Sequence, residues 1–131
     1  MIGILLITHG SLGDALIDCA IHVLNRRPVN LKALAVAADE DPAAVLHEAQ
    51  HLLVSLDEGE GVLVMTDIYG ATPANIAMRL LRPGHVECVA GVNVPMLLRV
   101  LTYCEKHDID ALCRKAVSGG CEGVHHFKGS I

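Results

Sequence analysis

The chain opens with the apolar run Ile-Gly-Ile-Leu-Leu-Ile-Thr-His-Gly (residues 2–10), which stops at an imidazole followed by glycine. A short apolar run that ends at a turn residue predicts a buried strand, here over residues 2–8. In an open parallel sheet, reactive groups collect just beyond the carboxyl ends of the strands, where loops expose them. His9 is therefore a candidate functional residue at the end of the first strand.

The rest of the chain repeats the order of strand, loop and helix. Further strand-like runs occupy residues 31–36, 61–66 and about 85–92, and apolar residues at helical spacing follow each of them. Asp41-Pro42 and Thr72-Pro73 are typical helix starts, with a capping side chain before proline. A last helix is predicted from Asp108 to Gly119-Gly120, because glycine commonly ends helices.

Strands that alternate with helices predict a doubly wound α/β domain, with a mainly parallel four-stranded sheet and helices on both faces. One domain over residues 1–131 is expected, since 131 residues suffice for a single compact core. The tail is too short for another strand and helix. Its segment Glu122 to Phe127 is a candidate antiparallel edge strand.

Composition narrows the possible functions. Ten Lys and Arg against fifteen Asp and Glu give a net charge of −5 without a basic run, so nucleic acid is not an expected partner. No apolar stretch reaches the roughly 18 residues of a membrane span, so insertion into a membrane is not expected. Because no signal peptide is recognisable either, a cytoplasmic location is expected. The five cysteines form no Cys-x-x-Cys pair and are interpreted as reduced and structural.

A second strand end carries a carboxylate. Asp67 closes the run Gly-Val-Leu-Val-Met-Thr-Asp, so His9 and Asp67 share one edge of the sheet if their strands are neighbours. The carboxylate would accept the Nδ1 proton of the imidazole and leave Nε2 as the nucleophile. The helix after His9 would direct free backbone N–H groups, those of Gly10 and Ser11, at a phosphoryl group carried by the ring.

Thr72 has two interpretations. The simpler one is a helix N-cap, which its position before Pro73 favours. In addition, its hydroxyl could donate to a phosphate oxygen.

Other kinds of site lack support in the sequence. There is no G-x-x-x-x-G-K-[ST] loop, the first strand ends without an acidic pair, and no G-x-S-x-G elbow surrounds Ser11. Cys104 with His107 and the pair His125-His126 do not complete a four-ligand zinc spacing, so no metal is expected. Three histidines on helices are interpreted as solvated surface groups: His22, His47 and His51.

Three motifs together resemble one family. Thr-His-Gly at 8–10, Asp-Ile-Tyr-Gly-Ala-Thr-Pro-Ala-Asn at 67–75 and Gly-Val-Asn-Val-Pro-Met-Leu at 91–97 are similar to enzyme IIA components of the mannose/fructose/sorbose family. These proteins belong to the bacterial phosphoenolpyruvate-dependent sugar phosphotransferase system (PTS). The resemblance extends from Met1 to about Phe127.

The resemblance implies a phosphocarrier without a cofactor. His9 would accept a phosphoryl group from the protein HPr and pass it to a IIB component for sugar uptake and phosphorylation, with Asp67 orienting the ring and Thr72 near the phosphate. Because no IIB sequence follows in these 131 residues, a separate IIB protein is expected. The resemblance further implies a homodimer in which the C-terminal strand is exchanged between subunits.

Two alternatives to sugar transport stay open at this point. A regulatory phospho-acceptor would use the same His9 and report the phosphorylation state of the system to another protein. A flavodoxin-like binding domain would hold a ligand without covalent chemistry. Neither the sugar nor the acceptor follows from the sequence.

Overall fold

The computed structural model describes residues 1–130, and in that range strands and helices alternate as the sequence predicts. Ile131 lies outside the described residues, so the predicted domain is described up to residue 130. The elements in chain order are β1 (Gly3–His9), α1 (Leu12–Leu24), β2 (Leu31–Val36), α2 (Pro42–Leu56), β3 (Val62–Thr66), α3 (Thr72–Met78), β4 (Val86–Ala90), α4 (Val94–Tyr103) and α5 (Ile109–Glu122).

The four strands form one parallel sheet in the order β2-β1-β3-β4. The central strand β1 pairs with β3 through Ile7 opposite Thr66, and with β2 through His9 opposite Val36. Since β1 and β3 are neighbours, their carboxyl ends meet at one edge of the sheet. The predicted α/β class and parallel sheet are confirmed.

Helices cover both faces of the sheet. In β1, Ile4 and Leu6 pack with α1, α4 and α5, whereas Leu5 and Ile7 pack with α2 and α3. All four of these side chains are fully buried. A central strand buried on both faces explains the continuous apolar run at the start of the sequence.

Side-chain caps start three of the helices. The carboxylates of Asp41 and Asp108 accept hydrogen bonds from Ala43 N (3.2 Å) and Ala111 N (2.9 Å), and Asn93 Oδ1 accepts one from Met96 N (2.9 Å). These bonds satisfy backbone donors that the first helical turn leaves without partners.

The predicted cap at Thr72 is wrong. The N-cap of α3 is Ala71, which has extended backbone angles and no side-chain cap, and Ala71 O accepts a hydrogen bond from Asn75 N at 3.0 Å. Thr72 is thus the first residue of the helix and Pro73 the second. Proline is tolerated throughout the first turn, so its presence does not fix the cap to the preceding residue.

The predicted end of the last helix at Gly119-Gly120 is also wrong, because α5 continues to Glu122. The two glycines lie where α5 packs closely on α4. A Cβ at Gly120 would lie 2.8 Å from Met96 Cε, and one at Gly119 would lie 2.9 Å from Arg99 Cβ. Helix packing, and not helix termination, accounts for these glycines.

Helical periodicity overestimates the buried faces in places. Val23, Leu81 and Val117 continue the apolar spacing of their helices, yet they are 58%, 40% and 52% exposed. Val23 lies in the last turn of α1, Val117 lies within α5, and Leu81 lies beyond the end of α3.

The C-terminal segment has no strand in the single chain. Glu122 belongs to α5, which corrects the predicted edge strand at its first residue, and residues 124–130 have no regular secondary structure. Phe127 is 87% exposed. Exchange of this tail between two subunits stays a prediction. Separately, none of the helices in residues 1–130 has the length and apolar character needed to cross a membrane.

Candidate functional site

The carboxyl ends of β1 and β3 bring His9 and Asp67 into contact. His9 Nδ1 lies 2.8 Å from Asp67 Oδ2, and the backbone N–H of His9 donates to the same oxygen at 3.1 Å. The other carboxylate oxygen accepts a hydrogen bond from Ile68 N at 3.2 Å. The two residues are 58 positions apart in the sequence, and only the pairing of the two strands makes them neighbours.

The electrostatics of this pair keep Asp67 ionised. Burial alone would raise the pKa of Asp67, but the hydrogen bonds from the His9 ring and backbone outweigh it and hold the pKa below its ordinary value. An ionised carboxylate can only accept, so Nδ1 of His9 is the donor and carries the proton. In the neutral ring, Nε2 then has a free lone pair.

The His9 ring is accessible, whereas Asp67 is not. The His9 side chain is 50% exposed and that of Asp67 is 9% exposed. The ring borders a cavity of about 530 Å³, lined by His9, Gly10, Val36, Ala37, Ala38, Glu40, Pro42 and Thr72. This volume leaves room for a phosphoryl group and for an approaching side chain from another protein.

Glu40 is a cavity residue that the sequence analysis missed. Its carboxylate accepts a hydrogen bond from Ala37 N at 2.9 Å, which holds the loop after β2 at the edge of the cavity. Among the lining residues there is no Lys or Arg. The signal in the sequence is the acidic run Asp39-Glu40-Asp41, which follows the end of β2. Because β2 lies beside β1 in the parallel sheet, the loops after both strands border the same edge.

Of the two predicted backbone donors, Gly10 and Ser11, the structure leaves the N–H of Ser11 free but not that of Gly10. Gly10 lines the cavity with a left-handed φ of +50°, a conformation that glycine adopts without strain. However, its N–H donates to Val36 O at 3.1 Å, so Gly10 is not a free donor. Within residues 1–130, the N–H groups of Ser11, Leu12 and Asp14 donate to no acceptor. The free donors thus begin at Ser11.

Two threonines support the site in different ways. Thr72 lines the cavity and is exposed, and its hydroxyl makes no hydrogen bond to any other described residue. Thr8 is fully buried, and its hydroxyl accepts a hydrogen bond from Gly13 N at 2.9 Å. This bond joins the first turn of α1 to β1, a positioning role that the sequence analysis did not foresee.

The histidines and cysteines considered as zinc ligands do not converge. No group of three or more His, Cys, Asp or Glu side chains in residues 1–130 has the geometry to hold a metal ion. Cys104 is buried and accepts a hydrogen bond from Asn30 Nδ2 at 3.4 Å, whereas His125 and His126 lie exposed in the tail.

Sequence comparisons identify relatives over most of the chain. The mannose-specific EIIAB component of the PTS from Escherichia coli K12 is 32% identical over 129 residues, which are 97% of this chain and 40% of that protein. This chain therefore spans about 40% of the length of that relative. The fructose-specific EIIA component from Bacillus subtilis is 29% identical over 106 residues, or 80% of this chain and 72% of that one.

Solved structures share the fold at lower identity. The mannose/sorbose-specific IIA subunit from Enterococcus faecalis superposes with a TM-score of 0.87 at 18% identity, over 99% of this chain and 97% of that chain. The EIIA component from Streptococcus agalactiae gives 0.86 at 21% identity, over 96% and 97%. The family model EIIA-man, described as the fructose IIA component of the PTS, matches residues 3–117, and this chain therefore belongs to that family.

Proposed function

We propose that the protein is a phosphocarrier of sugar uptake, which accepts a phosphoryl group from phospho-HPr on His9 Nε2 and passes it to a IIB component. One observation carries this proposal. The Nδ1 atom of an exposed histidine is hydrogen-bonded at 2.8 Å to an ionised, largely buried aspartate, and the ring borders an open cavity. Membership of the EIIA-man family supports a donor and an acceptor within the PTS.

The proposed reaction exchanges one P–N bond for another. The Nε2 lone pair of His9 attacks phosphorus in line with the departing imidazole nitrogen of phospho-HPr. As the new P–N bond forms, the old one breaks and its electron pair returns to the HPr ring. The transition state is loose and metaphosphate-like, so the protein acts mainly by positioning groups and stabilising charge.

Asp67 has the role of a positioning residue in this scheme. It fixes the tautomer in which Nδ1 carries the proton, and it stabilises the positive charge that the ring acquires when Nε2 is phosphorylated. Its second bond, to the backbone N–H of His9, holds the carboxylate beside the strand end.

The groups around the His9 ring suit a phosphoryl group that is bound and then transferred to the next protein. The free N–H groups that begin at Ser11 and the hydroxyl of Thr72 are donors for its oxygens. Glu40 adds a negative charge at the same cavity, and the lining residues offer no cation. Because the neutral donors are opposed by the negative charge of Glu40, the site favours onward transfer over a long-lived phosphohistidine.

The decisive experiment follows the phosphoryl group. The protein is incubated with labelled phosphoenolpyruvate, enzyme I and HPr, and the acid-labile label is mapped by peptide analysis. Label on His9, absent when HPr is omitted, is the expected result; label elsewhere, or none, contradicts the proposal. A chase with IIB then separates transport from the regulatory alternative, in which the label stays on His9.

A homodimer is part of the proposed function. The strand β4 is an edge of the sheet, and two apolar tail residues, Val124 and Phe127, are 76% and 87% exposed. An edge strand whose outer side is bridged by Arg82 at Val86, its first residue, and exposed apolar residues both favour association. Sedimentation should show a dimer that Phe127→Ser weakens, whereas Val29→Ser, at an equally exposed apolar position (83%), leaves it intact. A monomer at all concentrations would contradict this proposal.

A further inference from the structure

A pair of histidines lies on the outer face of α2, apart from the cavity of His9. His47 and His51 are four residues apart, so they lie one above the other on adjacent turns of the helix. Both side chains are exposed, and together with Gln50 and Val54 they line a shallow surface cavity of about 320 Å³. The proposed phosphoryl transfer uses neither of them.

The two rings are close enough to bind one ion. Their centroids are 5.9 Å apart and their planes are 78° from parallel. Imidazole nitrogens bind zinc at about 2.0–2.1 Å, and two rings on one ion therefore have centroids about 4.5–5 Å apart, roughly 1 Å closer than the two rings lie here. Small rotations of two exposed side chains would complete the geometry.

The donor atoms of this pair are available. Neither ring makes a hydrogen bond to another residue of the described range 1–130, and no salt bridge in that range engages either of them. Neutral imidazole is a good ligand for divalent ions of zinc, nickel and copper. Because the helix already holds the two rings together, the second bond to an ion is intramolecular and strengthens binding over a single imidazole.

We propose that His47 and His51 form a two-histidine chelate for a divalent transition-metal ion of the zinc and nickel type. The protein supplies two ligands, and water or a group from another molecule occupies the remaining positions. Gln50 lines the same cavity and offers an amide oxygen as a further donor.

The matched control for this proposal exchanges two residues of α2. In the double variant His51→Val with Val54→His, the composition is unchanged, but the two histidines become seven residues apart, about 10 Å along the helix. That separation is too large for one ion. All three positions are exposed, so the exchange should leave the fold intact, which circular dichroism can verify.

The test titrates the untagged protein with Ni²⁺ at neutral pH, with affinity measured by calorimetry and the binding residues by NMR of the histidine rings. Paramagnetic Ni²⁺ should broaden the resonances of His47 and His51 first. The exchanged variant and His47→Gln should each bind at least about tenfold more weakly, whereas His22→Ala should bind as the wild type does.

Other outcomes overturn the proposal. Equal affinity in the exchanged variant would show that the pair does not chelate. Broadening that starts at His125 and His126, or binding that is lost when the exposed thiols of Cys19 and Cys121 are blocked, would assign the ion to those groups. None of these measurements involves phosphoryl transfer, so the result is independent of the proposed function.

Discussion

Two histidine–aspartate pairs lie at opposite ends of the same sheet. At the carboxyl end, His9 uses Nδ1 to contact Asp67 at 2.8 Å; at the amino end, His85 uses Nε2 to contact Asp57 at 2.5 Å. The His9 ring is 50% exposed, whereas the His85 ring is 27% exposed. The same two residue types therefore leave different ring nitrogens free in different surroundings.

The pair at the amino end joins segments of the chain. Asp57 ends α2, and its carboxylate also accepts hydrogen bonds from Gly59 N (2.8 Å) and Gly61 N (3.3 Å), while His85 directly precedes β4. Gly61 has a φ of +99°, and a Cβ there would lie 2.1 Å from His85 O. This pair fixes a tight loop crossing, whereas the pair at the carboxyl end exposes the ring that we propose as the nucleophile.

The largest expected difference between the pairs is in phosphoryl acceptance. His9→Gln removes the nucleophilic nitrogen, so labelling by phospho-HPr should be lost completely. His85→Gln should be labelled at the wild-type rate, because its ring takes no part in the transfer. Quantitative labelling of both variants makes the comparison, and a labelled His9→Gln protein would refute the assignment.

The aspartates should differ by a smaller factor. Asp67→Asn keeps the shape but no longer fixes the tautomer, so transfer should slow by about 10²-fold or more. Asp57→Asn should leave the rate unchanged. Rapid-quench kinetics with phospho-HPr measures both, and equal rates would reduce Asp67 to a structural residue.

The structural role of Asp57 should appear in the stability of the protein. Asp57→Ala removes a charged acceptor of three hydrogen bonds and should lower the free energy of unfolding by about 1–2 kcal/mol, a 5–30-fold change in the folding equilibrium. Urea denaturation measures this value. His9→Gln is the reference variant, and a larger loss from His9→Gln than from Asp57→Ala would contradict the structural role.

The contribution of Asp57 to stability should also depend on pH. The hydrogen bond from the His85 ring, with that from Gly59 N, holds the pKa of Asp57 below its ordinary value. A lowered folded-state pKa stabilises the protein above the unfolded-state value, about 3.9, and this stabilisation is lost as the pH falls further. Wild-type stability should therefore fall more steeply than that of Asp57→Asn below about pH 4. Parallel curves from denaturation at several pH values would contradict this.

The smallest expected effect concerns Thr72. Thr72→Val keeps the shape but removes the hydroxyl that borders the cavity, so transfer should slow only about fivefold, the equivalent of one modest hydrogen bond. Thr72→Ser keeps the hydroxyl and should transfer at the wild-type rate. If Thr72→Ser slows in rapid-quench kinetics and Thr72→Val does not, the methyl group and not the hydroxyl matters.

The sequence predicts the contact between His9 and Asp67 because both follow buried runs, and parallel strands place such ends at one edge. It does not predict the engaged N–H of Gly10, because that bond depends on the register between β1 and β2. It also does not predict the pair of Asp57 and His85, which two loops bring together.

For helix boundaries too, the sequence predicts some features and not others. The cap at Asp41 is predicted because the carboxylate acts on its own first turn. The extension of α5 through Gly119 and Gly120 is not, since it depends on how closely α4 approaches. Local chemistry is readable from the residues, whereas contacts between distant segments need the structure.

The main-chain bond between His9 N and Asp67 Oδ2 has a consequence for the interval between two rounds of the proposed phosphoryl transfer. A peptide N–H neither titrates nor changes when the imidazole gains or loses a phosphoryl group. The Asp67 carboxylate therefore stays hydrogen-bonded to the backbone in both states of the ring. In the proposed reaction, the site can therefore accept the next phosphoryl group as soon as the imidazole has lost the first, without any rearrangement of the strand ends.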